Sequence, residues 1–118
     1  MARAAVVIFA ELETHGEAAR VLNALQVVRE FKEAGDDVTL IFDGGGVTSL
    51  AAMVQPEHRL NSLYQMVADK VAGACAFCSK AFEVKEQLEE ARIPFLADYK
   101  QHPSLRTLVV DGYQILIL

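Results

Sequence analysis

The chain has 118 residues, enough for one hydrophobic core, and predicts a single domain over residues 1–118. Its hydrophobic fraction is 53% and its net charge is −5 with no block of like charges, so it lacks the basic stripe of a protein that binds nucleic acid or an anionic membrane. Two cysteines are too few for a secreted disulfide scaffold, and the apolar runs are too short for a membrane span, so we expect a cytoplasmic protein.

The chain alternates short apolar strands with helices. The predicted strands are β-branched, apolar runs of the kind that lie buried on both faces of a sheet. The predicted helices show apolar residues at helical spacing and begin near capping residues or prolines. In chain order we predict a strand at 4–10, a helix from Thr14 to Gly35, a strand at 37–43, helices from Val47 and from Pro56, a strand at 73–77, a helix from Ser79 to Pro94, a strand at 94–98, a helix near Pro103 and a strand at 113–118.

This alternation predicts a layered α/β domain with a mainly parallel sheet. In such domains, ligand and catalytic groups collect beyond the carboxyl ends of the strands. The candidate site residues are therefore expected at 11–16, 43–46, 78–79 and 98–102. One of the two cysteines, Cys78, lies at this edge.

Cys75 and Cys78 form a C-x-x-C pair that admits three kinds of chemistry. For a thioredoxin-like dithiol, the predicted strand 73–77 would separate the cysteines by about 10 Å, too far for a disulfide. For a zinc site, no histidine forms a second ligand pair at short spacing, so no metal and no cofactor are predicted. A single reactive thiol fits better, because Cys78 follows the strand at a helix N-terminus, near Lys80, where a thiolate is favoured. Cys75 is then a small buried hydrophobic residue, and that interpretation stays open for Cys78 as well.

Two further groups lie at the same edge. His15 and His102 are each either a proton-transfer partner of the thiol or a solvated loop histidine. A glycine-rich turn predicts either a cradle for a small anion or a flexible turn, and it matches neither the P-loop nor the dinucleotide-binding pattern. The candidate binding residues of that turn are Asp43, Gly44 and Gly45.

The carboxyl-terminal half of the chain resembles the DsrE/DsrF-like proteins, which include sulfur-relay subunits of the TusBCD type. The likeness lies in the cysteine before a helix in "GACAFCSKAF", in "IPFL" followed by "HPSL", and in the closing "DGYQILIL". The first half agrees with that family in layout. The resemblance implies a flavodoxin-like fold, small oligomers, and a strand-end cysteine that accepts sulfur as a persulfide. By position, that role falls on Cys78, with Cys75 second.

The expected function is therefore sulfur carriage on Cys78 by a carrier or sulfurtransferase subunit, with donor and acceptor proteins as partners. Two alternatives stay open. One is an oligomeric module that binds a small anion without covalent chemistry, and the other is a dithiol redox protein. The apolar composition predicts a homo-oligomer, and the resemblance implies a trimer or a hexamer. Neither nucleic acid nor a membrane is an expected partner.

Overall fold

A computed structural model describes residues 1–118, and its centre is a five-stranded sheet in which every pairing is parallel. The strands β1 to β5 are Arg3–Ile8, Asp37–Phe42, Val71–Cys75, Phe95–Leu96 and Gln114–Ile117. The helices α1 to α6 are His15–Glu33, Gly46–Met53, Asn61–Val67, Ala76–Ala81, Lys85–Glu90 and Leu105–Val110, with a 3₁₀ turn at Ala68–Lys70. None of these helices has the length and hydrophobicity that a membrane crossing requires. The predicted α/β class is confirmed, and the architecture is compatible with a single-domain flavodoxin-like fold.

The strand order β4-β3-β2-β1-β5 explains how the helices are distributed. From β1 to β4 the chain advances across the sheet in one direction, so right-handed connections place α1 to α5 on one face. The connection from β4 to β5 runs back across the sheet and places α6 on the other face. The packing agrees, because α1 contacts α3, α2 contacts α4 and α5, and α6 contacts β5. Helices therefore cover both faces, but unequally.

The hydrophobic core lies between the sheet and the layer formed by α1 to α5. The inner face of α1 shows the helical spacing that the sequence predicts, and its fully buried residues are Val21, Ala24, Leu25 and Val28. The strands supply fully buried side chains opposite them, among them Val6, Ile8, Leu40 and Phe42. Burial of apolar area of this kind is the main favourable contribution to folding.

The first helix begins and ends at the predicted residues. Thr14 caps α1, since its Oγ1 accepts the backbone N–H of Glu17 at 3.1 Å. The Thr14 hydroxyl also donates to the Glu17 carboxylate at 3.3 Å. Gly35 follows the helix in the left-handed region, with a φ of 79°.

The third strand and the helix after it differ from the prediction. The strand predicted at 73–77 ends at Cys75, and the helix expected from Ser79 begins at Ala76. The reason is that the Cys75 sulfur caps α4 by accepting the backbone N–H of Cys78 at 3.4 Å, whereas sequence patterns expect an oxygen-bearing cap. Ser79 lies inside α4, and its hydroxyl donates to the carbonyl oxygen of Cys75 at 2.7 Å.

Several other predicted boundaries also differ. The single helix expected from Ser79 to Pro94 is two helices, α4 and α5, separated by a turn in which Glu83 has a φ of 58°. Turns replace the first part of the helix expected from Pro56, so α3 begins only at Asn61. The strand predicted at 94–98 shortens to the two residues of β4, and α6 begins two residues after Pro103.

The glycine-rich turn after β2 is needed for packing. A Cβ on Gly46 would overlap the backbone carbonyl oxygen of Ile8, at the end of β1. A Cβ on Gly44 would lie 2.9 Å from the ring of Phe9, and the φ of Gly44 is 51°. The glycines therefore allow the start of α2 to approach β1 closely.

We expect Gly46→Ala to lower the free energy of unfolding by about 1–3 kcal/mol, the usual cost of overpacking. The backbone of Ile8 cannot move aside without disturbing β1. The matched control is Gly16→Ala in α1, where the nearest atom to the new Cβ would be 4.0 Å away. That change should be neutral or stabilising by up to roughly 1 kcal/mol. Urea unfolding of both variants measures the difference, and equal midpoints would contradict this account of the turn.

Candidate functional site

Four side chains converge at the carboxyl edge of the sheet. Asp43 follows β2, Cys75 ends β3, Cys78 lies in the first turn of α4, and His102 lies in the loop between β4 and α6. One oxygen, two sulfurs and one ring nitrogen from these residues all lie within 4.8 Å of one another. Parallel strands bring such groups together because their carboxyl ends share one edge.

Cys75 lies at the centre of this cluster and is fully buried. Its Sγ is 3.2 Å from Nδ1 of His102, and its thiol donates to the carbonyl oxygen of Gln101 at 3.7 Å. Burial raises the pKa of the Cys75 thiol to about 12, and the neighbouring Cys78 and Asp43 act in the same direction. The N–H of Cys78 opposes this rise without cancelling it. At neutral pH, Cys75 is therefore a thiol.

Cys78 is the more accessible cysteine, with 8% of its surface exposed against 0% for Cys75. Its thiol donates to Oδ1 of Asp43 at 3.6 Å. The same oxygen accepts the backbone N–H of Gly44 at 2.7 Å, which fixes the orientation of the carboxylate. Asp43 is thus held beside Cys78 as a hydrogen-bond acceptor.

A tight loop brings His102 into the cluster. Tyr99 and His102 exchange two backbone hydrogen bonds, of 2.9 and 2.8 Å, across Lys100 and Gln101. These two intervening residues have φ values of 49° and 71°, in the left-handed region that non-glycine residues rarely adopt. The carbonyl oxygen of Gln101 also accepts the backbone N–H of Phe77 at 2.9 Å, which ties the loop to α4. Such backbone conformations persist where the surrounding structure over-determines them, and they often occur at functional sites.

Two exposed aromatic side chains lie on the segments that carry the cluster. The ring of Phe77 lies 5.0 Å from the ring of His102, centroid to centroid, and more than half of Phe77 is exposed. Tyr99, at the start of the loop, is also more than half exposed. Exposed aromatic residues thus lie on both segments, and such residues are enriched where proteins bind other proteins.

The structure brings together some of the predicted site residues but not others. Asp43, Cys75 and Cys78 meet, and Gly44 contributes its N–H to the carboxylate. Three other candidates lie outside the cluster. Gly45 packs on the side chain of Glu11, His15 lines a groove with Arg59 and Leu60, and Lys80 lines a charged groove with Glu83 and Glu86.

Two expectations from the sequence need correction. The expected separation of about 10 Å between the cysteines treated the chain from Cys75 to Cys78 as extended. In the structure, residues 76–78 form a helical turn, and the two sulfurs lie within 4.8 Å of each other. The spacing argument against a dithiol is therefore wrong. His102, which the sequence left between a proton-transfer partner and a solvated histidine, is a member of the cluster and contacts Cys75 rather than Cys78. Its only signal in the sequence is its position at a strand-end loop.

Comparisons with known proteins found a relative in sequence and a protein of similar structure. No protein-family model matches the chain. Over 98 residues it is 30% identical to the uncharacterized protein MJ0733 of Methanocaldococcus jannaschii. The aligned segment covers 83% of this chain and 79% of the relative. A conserved protein of unknown function from Bacteroides thetaiotaomicron, BT1422, has a similar structure, with a TM-score of 0.67 over 97% of this chain and 93% of that chain. At 14% sequence identity, the second similarity concerns the fold alone.

We expect limiting alkylating reagent to label Cys78 well before Cys75 in chelator-treated protein. A pKa of about 12, against the ordinary 9.0, leaves Cys75 with a thiolate fraction about a thousandfold below that of an ordinary cysteine at neutral pH. Burial adds a barrier to the reagent. Peptide mapping by mass spectrometry measures the order of labelling, and Cys78→Ser should abolish the rapid phase. Equal labelling of both cysteines in native protein would contradict the geometry.

Proposed function

The chain belongs to the same family as the Methanocaldococcus jannaschii protein, and we propose that it carries sulfur as a persulfide on Cys78. The observation that supports this most is the thiol of Cys78, which keeps 8% of its surface exposed and is held 3.6 Å from a fixed carboxylate. A nucleophilic thiol requires a proton acceptor within reach, and Asp43 is in that position. The resemblance to DsrE/DsrF-like proteins implies the same chemistry.

The loading step needs no oxidant. The thiol of Cys78 gives its proton to Asp43, and the thiolate attacks the outer sulfur of a donor persulfide, R–S–SH. The donor S–S bond breaks, R–S⁻ leaves, and the outer sulfur becomes bonded to Cys78 as Cys78–S–SH. The donor thiolate then recovers one proton, so atoms and electrons balance. Delivery reverses the roles, since an acceptor thiolate attacks the outer sulfur and Cys78 leaves as the thiolate.

The other residues of the cluster enclose Cys78 on its inner side. Cys75 is a buried thiol whose hydrogen is taken by the carbonyl oxygen of Gln101, and its neighbour His102 closes the cluster on that side. Donor and acceptor proteins would dock on the exposed aromatic side chains of Phe77 and Tyr99. We place this chemistry in the cytoplasm, where thiols are kept reduced.

A dithiol redox function is the second candidate, and one observation favours it. Cys75 caps α4 while Cys78 lies three residues later in the same turn, which brings the two sulfurs within 4.8 Å. Attack of the Cys75 thiol on a Cys78 persulfide would give a Cys75–Cys78 disulfide and release H₂S. The anion-binding alternative has less support, because Asp43 takes the N–H of Gly44 and the acidic Glu11 lies against Gly45.

We expect metal-free protein treated with glutathione persulfide to gain the mass of one sulfur atom on the peptide that contains Cys78. Cys78→Ser should abolish the gain. The matched variant Cys75→Ser should retain it, because serine is itself a good helix cap. Asp43→Asn should slow loading by roughly a hundredfold or more, the usual contribution of a positioned base. Intact and peptide mass spectrometry measure all four proteins.

Two results would count against sulfur carriage. If wild-type protein loses two hydrogens and releases H₂S without retaining sulfur, the dithiol function is the better account. If neither cysteine takes up sulfur or alkylating reagent until the protein unfolds, both thiol functions fail.

We further propose a homo-oligomer, a trimer or a hexamer, formed through the face that carries α6. Val109 and Val110 on α6 and Ile117 on β5 are each more than half exposed, and α6 packs against β5. Exposed apolar side chains on adjoining elements commonly mark an interface between proteins.

Light scattering should therefore give three or six times the 12.9 kDa mass of one chain at micromolar concentration. Val110→Glu should shift the protein to smaller species, because it places a charge at the apolar contact. Met66→Glu, on the opposite helical layer and also exposed, is the matched control and should leave the assembly intact. A wild-type monomer would refute the proposal.

A further inference from the structure

We propose that Asp43, Cys75, Cys78 and His102 form a binding site for one Zn²⁺ ion. The inference stands on the arrangement of the four side chains and does not rest on the sulfur-carrier function. The sequence predicted no metal site because it offered only one short-spaced ligand pair. The fold supplies the other two ligands, from the turn after β2 and from the loop after β4.

The distances between the ligand atoms fit a tetrahedral ion. Zinc bonds of about 2.3 Å to sulfur and about 2.0–2.2 Å to nitrogen or oxygen place neighbouring ligand atoms roughly 3.6 Å apart. The Cys75 sulfur and the His102 nitrogen are 3.2 Å apart, and the Cys78 sulfur and the Asp43 oxygen are 3.6 Å apart. All remaining pairs lie within 4.8 Å. An ion at the centre therefore requires only small movements of the side chains.

The chemistry of the ligands selects the ion. Two thiolates, one imidazole and one carboxylate suit zinc, whereas Ca²⁺ and Mg²⁺ prefer oxygen ligands in larger number. Binding displaces one proton from each cysteine thiol, and the two thiolates and the Asp43 carboxylate then offset the charge of the ion. Three of the four residues are buried, so the ion would be largely enclosed.

Backbone groups already orient the ligands. The N–H of Gly44 holds the Asp43 carboxylate, and the N–H of Cys78 points at the Cys75 sulfur. Contacts of this kind fix ligand direction in metal sites. The left-handed residues Lys100 and Gln101 turn the chain so that His102 faces the cysteines. The unusual backbone of this loop would therefore serve to position a metal ligand.

Zinc and sulfur would compete for the same atom. An ion bound to the Cys78 sulfur blocks its attack on a donor, so the two proposals predict opposite effects of the metal. Zinc binding is measured without a sulfur donor, and sulfur loading is measured with a chelator present. The zinc-site proposal and the sulfur-carrier proposal can therefore each fail independently of the other.

The test uses chelator-treated full-length protein titrated with Zn²⁺ and, separately, with Co²⁺. We expect one ion per chain by native mass spectrometry, a higher melting temperature with zinc, and the strong visible bands and thiolate charge-transfer absorption of tetrahedral cobalt. Cys75→Ser, Cys78→Ser and His102→Gln should each weaken zinc binding by more than about a hundredfold, beyond what loss of a supporting hydrogen bond costs. His58→Gln, at a histidine outside the cluster, is the matched control and should bind normally.

Substitution of one metal ligand by another distinguishes the loss of a ligand from misfolding of the variant. His102→Cys should still bind zinc and should strengthen the thiolate charge-transfer absorption of the cobalt form, because it replaces nitrogen with a third sulfur. The proposal is overturned if wild-type protein shows no tetrahedral cobalt spectrum. It is also overturned if zinc binds no more tightly to wild type than to the Cys75→Ser/Cys78→Ser double variant.

Discussion

The hydrogen bond from the backbone N–H of Cys78 to the sulfur of Cys75 determines how the two cysteines at the centre of the site are placed. It ends β3 and begins α4 within one residue, so the chain turns into a helix before the second cysteine. A strand continuing for two more residues would have placed the sulfurs far apart and turned the second one away. Because the cap is a sulfur, the group that begins the helix is also a member of the cluster.

Different local contacts position the remaining members of the cluster. Asp43 is fixed by the tight turn after β2, whose glycines allow α2 to approach β1. His102 is fixed by a short loop closed by two backbone hydrogen bonds and two left-handed residues. A parallel sheet brings these segments to one edge, but each needs its own local contacts to aim its side chain.

The sequence predicted the layers of the fold well because they depend on long, strongly periodic segments. The buried face of α1 and the apolar strands β1 and β2 follow directly from the spacing of their residues. Boundaries near the site were harder to predict. A cysteine cap at Cys75 has no counterpart in the usual capping patterns, and the left-handed conformation of Gln101 is imposed by tertiary contacts, not by residue type. Cys75, Cys78 and Asp43 were recognisable as candidates, but their convergence with His102 depends on β3 and β4 being neighbours.

The unequal covering of the two sheet faces has a consequence for local motion. Asp43 and the cysteines are attached to the thick layer of α1 to α5, whereas His102 belongs to a loop between a two-residue strand and a helix with no buried residue. Segments with little buried apolar surface open at a lower free energy than the core does. The loop 98–104 should therefore open locally more readily than β1 and β2 do. The enclosed cluster would open from the His102 side, through local fluctuations that leave the sheet intact.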